Sequence, residues 1–365
     1  MRGRPTKPTK PMKPEQQSKS LLGVTRSLAK MFEYRVPAED HIKSPRNPSR
    51  LFSLAIGLLG DYCSSINTEG RIVDGRKELR DDLRFSAQFF DAYRDAKVDG
   101  TLDPYVSLVG AATYYLCELP GSASVLAKQL PDECPDLDGR GLEQFILWLL
   151  RGDFETSAPT FRASFGGRIV EIATWLTTYF GGDGNANEAT LFDLLKKLRR
   201  NAYAFGTSRQ LLLADIACAL ARMRYLNSAR YSLPIYSELT AETWAPYLSK
   251  ATAIRELWPA QHLIGRAKVF AGTSAIIQMP TSAGKTRGTE LIIRSSFLAD
   301  RSNIAVIVAP FRALCHEIRK GCVKAFAGEA VNVDELTDVT QNDFDIEALL
   351  VVSARFNVTY LRDVR

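Results

Sequence analysis

Cysteine and histidine are scarce in this chain. Among its 365 residues are six cysteines, at positions 63, 117, 134, 218, 315 and 322, with no Cys-x-x-Cys pair, and three histidines, His41, His262 and His316. Six thiols so scattered do not make a disulfide scaffold, and so few Cys and His argue against a zinc site. Long apolar runs are missing as well. Leu54–Leu59 and Ile304–Pro310 are the longest, far below the roughly 20 residues that span a bilayer, so no membrane partner is expected. The start has Lys and Pro where a secretory leader would turn apolar. A reducing, cytoplasmic compartment is the expectation. What the chain does have is 45% hydrophobic and 24% charged residues, enough to bury a core and to exclude disorder as the main state. The length suggests two or three domains.

The net charge of +6 is unevenly placed. Residues 1–50 carry twelve Lys or Arg against Glu15, Glu33, Glu39 and Asp40, a local +8 that leaves −2 for the other 315. Pro at 5, 8, 11 and 14 alternates with Lys in the first twenty residues. Pro removes backbone donors and the lysines repel one another, so residues 1–47 are expected to form a basic, flexible tail. Such a tail can touch a phosphate backbone or an acidic partner, or be a plain leader.

From 48 to 250 the pattern is helical. Leu142, Phe145, Ile146, Leu149 and Leu150 form one apolar stripe; Leu191, Leu194, Leu195 and Leu198 form another; Leu212, Ile216, Ala219, Leu220 and Met223 a third. Gly and Pro punctuate between stripes, which predicts seven to nine helices in a compact or irregular array without a fixed repeat. Two basic clusters stand out: Lys196, Lys197, Arg199 and Arg200, then Arg222, Arg224 and Arg230. They could flank a nucleic-acid groove or be the solvated face of an amphipathic helix, the commoner arrangement. Trp148, Trp175, Tyr179 and Phe180 fall on or near the stripes and are expected in the core.

After about 250 the pattern changes. Ser274–Gln278 (SAIIQ), Asn303–Ala309 (NIAVIVA), Val331–Leu336 and Leu349–Ser353 read as strands, and 285–299 and Arg312–Phe326 as helices. Continuous apolar strands alternating with helices indicate a parallel sheet covered on both faces. A sheet of only three or four strands leaves an open edge. The expected fold is therefore mixed: a helical domain at 48–250 followed by an incomplete α/β phosphate-loop domain at 251–365.

The strongest chemical signal is Gln278-Met279-Pro280-Thr281-Ser282-Ala283-Gly284-Lys285-Thr286. It follows an expected strand and opens an expected helix, the setting a phosphate loop requires. Unpaired N–H groups and the positive dipole end at a helix start attract an anion. Gly284 allows close backbone approach, Lys285 can reach the outer phosphates, and Thr286 offers a hydroxyl to Mg²⁺. The strict motif has Gly five positions before Gly284, where this chain has Met279.

PTSAGKT resembles motif I of superfamily 2 helicases, in particular the superkiller-like and related DEAD/DEAH-box group, where that first Gly is commonly replaced. Leu257-Trp258-Pro259-Ala260-Gln261 is similar to the family's L-x-P-x-Q element, and Gln261 lies 24 residues before Lys285. Pro310-Phe311-Arg312-Ala313-Leu314 resembles motif Ia, and Glu335-Leu336-Thr337-Asp338 the L-T-G-D element without its Gly. Leu350–Arg355 matches only the first half of motif Ib. The resemblance covers about 255–365. It implies ATP and Mg²⁺ as cofactors, held by Gln261, Pro280, Thr281, Ser282, Ala283, Gly284, Lys285 and Thr286. Gln261 would read adenine, Thr286 would meet the metal, and Lys285 and Thr286 would act in catalysis. It implies a nucleic-acid partner, DNA or RNA, at Pro310 and Arg312.

The family's D-E-x-H is absent from the sequence. Asp132-Glu133 precedes the loop, and Asp334-Glu335 follows too closely and reads as a surface pair. The expectation is the N-terminal part of an ATP-dependent helicase or translocase, inactive by itself and cut short before motif II, with a protein partner through the helical region as a further option. A non-catalytic helical binding module with a vestigial phosphate loop, and a nucleotide kinase, are the alternatives.

Overall fold

The computed structural model describes residues 13–43, 49–69, 77–96, 103–131, 139–154, 167–182, 187–280, 283–336 and 349–353. The chain divides into two compact units, Met1–Leu226 and Asn227–Arg365.

The first unit is helical throughout its described residues. Its α-helices are α1 (Gln16–Glu33), α2 (Ser49–Glu69), α3 (Lys77–Asp95), α4 (Asp103–Leu116), α5 (Pro120–Gln129), α6 (Leu142–Arg151), α7 (Arg168–Phe180), α8 (Glu188–Phe205) and α9 (Ser208–Asn227), the last ending at the unit boundary. Helix α1 lies inside the stretch expected to be a flexible tail. The regularly spaced prolines stop at Pro14, and Leu22, Thr25 and Ala29 then repeat at helical spacing and are buried, with the helix packed on α3. An apolar stripe with a partner outweighs the surrounding charge.

Helix α9 is the centre of this unit. Every residue from Leu213 to Met223 is buried, so the single stripe read from the sequence was too narrow. Ala214, Ala217, Ala219 and Ala221 are fully buried, and side chains this small let neighbours approach from several sides. The two arginines of the second basic cluster on this helix are structural. Arg222 is buried over the Phe192 ring at 4.1 Å. Arg224 donates to the Leu149 and Leu150 carbonyls, each at 2.7 Å, across the Tyr115 ring. Those carbonyls belong to the last turn of α6, which lacks intrahelical partners for them. Neither arginine is a solvated or groove-lining cation. Trp148, Trp175 and Tyr179 are buried and Phe180 half-buried, as the stripes implied. Burial pushes the Cys63, Cys117 and Cys218 thiols up, which keeps them protonated.

The second unit begins with α10 (Ala229–Ser237), α11 (Ala241–Leu248) and α12 (Pro259–Arg266), followed by α13 (Lys285–Leu298), β1 (Ile304–Val308), α14 (Arg312–Ala325), β2 (Asn332–Leu336) and β3 (Leu349–Ser353). Ten helices thus lie between 49 and 248 among the described residues, more than the seven to nine expected. The expected boundary at 250/251 falls inside this unit. Leu233, Trp244, Tyr247 and Leu248 share one core with Leu257, Ile264, Phe270 and Leu291. At Gly265 a Cβ would sit 2.3 Å from the Tyr236 ring, so α12 meets α10 at a position only Gly can fill.

The sheet is parallel with order β1-β3-β2. Ile304 pairs with Leu349, and Asn332 pairs with the other side of Leu349. Ala305, Ile307 and Val333 pack against Ile293, Phe297 and Phe326 of the flanking helices. Among the described residues the expected cover on both faces is not seen: β1 is half-buried and Val308 at its end is exposed. The fourth expected strand is a further correction. Ser274–Gln278 has no regular secondary structure, among the described residues nothing pairs with it, and Ile276 is fully exposed. A strand needs a neighbouring edge to satisfy its backbone, and local β preference alone does not supply one.

The packing predicts opposite outcomes for two arginines of like chemistry. Arg224→Met, which strips the α6 carbonyls of their donor, should cost about 2–3 kcal/mol in urea unfolding. Arg200→Met on the exposed face of α8 should stay within about 0.5 kcal/mol of wild type. Equal effects would contradict the assignment of Arg224 as a helix-end anchor.

Candidate functional site: the turn before helix α13

The site is built from two helix starts. The first is α12. Leu257 N–H donates to the Asn227 carbonyl at 2.8 Å, and Ala229 N–H donates to the Arg255 carbonyl at 2.9 Å, which fixes the entry of this helix. Pro259 takes the first helical position, where its missing N–H costs nothing. Gln261 at the third position turns back, and its Oε1 accepts from Trp258 N–H at 2.7 Å, one half of a capping box.

The second start is α13. Gly284 stands before it with φ +84°, the left-handed region. A Cβ there would lie 2.7 Å from Gln261 Nε2. Gly284 is therefore required twice, by its dihedral and by the amide beside it. Gly288 N–H closes the first turn onto the Gly284 carbonyl at 2.9 Å. Among the described residues, no acceptor meets the N–H groups of Lys285, Thr286 and Arg287, the orphan donors of a helix start.

The charge at this turn is unusual. A helix N-terminus is stabilised by acids, yet the first turn of α13 has none and carries Lys285 and Arg287. Arg287 is tied back to Glu290 at 2.7 Å. Lys285 and Thr286 are exposed. The turn thus gathers a cation, three free N–H donors and the positive dipole end, all favouring an anion.

Of the residues expected to hold a cofactor, the fold brings Gln261 and Gly284 into contact, with Ala283 and Gly284 half-buried and Pro280 exposed. Thr281 and Ser282 lie outside the described residues. Gln261 is only 3% exposed, so in this conformation its amide braces the loop and presents no edge to an adenine. Pro310 and Arg312 are exposed where β1 gives way to α14, Pro310 in the connection and Arg312 as the first residue of the helix. Asp334, expected as one of a surface pair, is half-buried within β2; Thr337, Asp338, Asp132, Glu133, Ala354 and Arg355 lie outside the described residues.

Two groups near the site were not singled out from the sequence. His262, next to Gln261, is buried and pairs through Nδ1 with the Tyr236 hydroxyl at 3.0 Å. Arg294 is 2% exposed and binds Glu290 at 3.3 Å, the Ala325 carbonyl at 3.1 Å and Glu329, between the Tyr247 and Phe326 rings. It locks α13 to α11 and α14 and so fixes the helix that carries Lys285. The Glu290–Arg294 spacing of four was the one sequence signal for it.

Burial, aided by the Arg266 charge, pushes the His262 pKa down to about 4 from its ordinary value near 6.5. A lowered histidine pKa means that the unfolded chain binds the proton first. Stability linked to His262 is full above about pH 6.5 and is lost as pH falls towards about 4, up to about 3 kcal/mol. Urea unfolding of wild type and His262→Gln should therefore diverge in pH dependence over that window, with the variant flatter. Parallel curves would refute the buried neutral ring.

No curated protein matches the chain. The family model described as DEAD/DEAH box helicase matches residues 259–360, a stretch that opens at the Pro259–Gln261 cap and contains the turn at Gly284 and the loop at Arg312. Over that stretch the chain is similar to a DEAD/DEAH-box helicase domain, which supports helicase-type binding of ATP and nucleic acid.

Proposed function

We propose that the second unit binds ATP with Mg²⁺ at the PTSAGKT turn and a nucleic-acid backbone at Pro310 and Arg312, as the front lobe of an ATP-dependent helicase or translocase of the superkiller-like group. The helical unit is an N-terminal extension of that engine in this reading. The observation that carries it is the uncompensated positive character of the α13 start. Lys285, three N–H groups that meet no acceptor among the described residues, and the helix dipole converge there, with no acidic residue in the first turn of the helix. Such an arrangement costs stability until an anion fills it.

The residues fit the group. The N–H groups of Lys285, Thr286 and Arg287, which meet no acceptor among the described residues, supply donors, and the exposed Lys285 supplies charge. Thr286 supplies the hydroxyl for the metal. Mg²⁺ would neutralise phosphate charge when bound. Gln261 holds the turn through its contact with Gly284, and reading of adenine by Gln261 requires its amide to rotate out of the cap.

Binding is the direct test. Lys285→Ala should weaken Mg-ATP at least tenfold in equilibrium dialysis, the loss of one charge-assisted contact of about 1.5–3 kcal/mol. Inorganic triphosphate should compete. Unchanged ATP affinity in Lys285→Ala, or no ATP binding by the wild type, would remove this function.

A further inference from the structure

Helix α8 has two faces. Leu191, Leu195, Leu198 and Ala202 are buried, while Lys196, Lys197, Arg200, Tyr203, Ala204 and Phe205 face solvent. Lys196, Arg199, Arg200, Tyr203 and Ala204 line an open groove of about 400 Å³. Lys196, Arg200, Tyr203 and Ala204 follow at spacings of four, three and one, a single stripe along the helix.

Most charges on this helix are already matched. Lys197 pairs with Asp193 at 2.6 Å and Arg199 with Asp215 at 2.5 Å. Among the described residues, Lys196 and Arg200 have no ion-pair partner within 4.0 Å, which leaves two positive charges in excess one turn apart. Arg199 is held by Asp215, and its guanidinium stands 5.9 Å from the Tyr203 ring. Tyr203 is 61% and Phe205 81% exposed. Tyr203 lies on the same stripe as the two cations, three residues from Arg200, so its open ring stands within one helical turn of that charge. Cations that can meet successive phosphates, beside a ring that can stack on a base, are the two parts of a single-strand contact.

We propose that the C-terminal half of α8 is an auxiliary site for single-stranded nucleic acid, with phosphates on Lys196 and Arg200 and an unstacked base on Tyr203. The proposal rests on the reading that the chain works on nucleic acid. It adds a contact outside residues 259–360, on the helical unit. A protein of acidic surface would use the cations but has no need of the ring, which is why a strand with bases is the favoured occupant.

The test uses the full chain, with fluorescein-labelled 20-mers of dT and of U, and a blunt DNA duplex, read by anisotropy. Mg-ATP affinity and thermal unfolding are followed in parallel. The double variant Lys196→Glu with Arg200→Glu should lose tenfold or more in single-strand affinity. The milder pair Lys196→Ala with Arg200→Ala should lower the salt slope by about 1.4, at about 0.7 per phosphate contact. Tyr203→Ala should lose at least about fivefold and Tyr203→Phe little, because the ring stacks. Unfolding and Mg-ATP affinity should not move in any of these variants. Wild-type binding that survives all α8 changes but fails in Arg312→Glu would overturn the α8 site and leave the proposed function standing. Equal affinity for duplex, with no effect of Tyr203→Ala, would overturn the stacking site. No binding of any oligonucleotide by the wild type would overturn the α8 site and the nucleic-acid half of the proposed function together; Mg-ATP binding then decides the nucleotide half by itself.

Discussion

The Gln261 side-chain amide pressed against Gly284 is the contact on which the candidate site depends. One end of the amide accepts from Trp258 N–H and starts α12. The other end stands where a side chain at Gly284 would go. The backbone at Gly284 lies in the left-handed region, and among the described residues the first N–H groups of α13 meet no acceptor. A single glutamine thus stands between the start of α12 and the start of α13. The family's Gln, Gly and Lys read as separate contacts to a ligand when seen as sequence; in the fold, two of the three are contacts with each other.

In each unit an arginine with little exposure ties elements together, each by a different route. In the first unit, the half-buried Arg224 satisfies the carbonyl end of α6 and stands 4.4 Å from the centre of the Tyr115 ring. In the second, Arg294 joins two carboxylates and a carbonyl between two rings. A buried charge is tolerated only when its donors are used, and planar guanidinium groups use several at once. Because Arg294 lies on α13, the helix that presents Lys285 is tied into the core two turns behind its exposed start. A rigid helix with a positive, uncompensated end is what an anion site on a preorganised scaffold needs.

Much of this was legible in the sequence. The helices at 285–298 and 312–325 and the strands at 304–308, 332–336 and 349–353 were each expected within a residue or two, because apolar period and turn residues agree there. The turn at Gly284 was legible from Gly-Lys-Thr between strand-like and helical runs. Three things were not. Ser274–Gln278 has strand residues but no partner edge, and pairing is a property of the neighbour. Arg222 and Arg224 look like surface charge in a basic cluster, and only the position of α6 and α2 makes them internal. The role of α10 and α11 was hidden because their apolar residues say that they are helices, not which core they join.

The central claim is that the backbone amides at the start of α13 hold phosphate. Selective ¹⁵N labelling of Gly, Lys and Thr in the full chain, with Mg-ATP and then inorganic triphosphate added, reads those amides directly. The account predicts large downfield shifts of the Lys285 and Thr286 N–H signals with either ligand, and smaller ones at Gly284. Signals at these positions that stay in place while ATP binds elsewhere, or while no ATP binds at all, would contradict it.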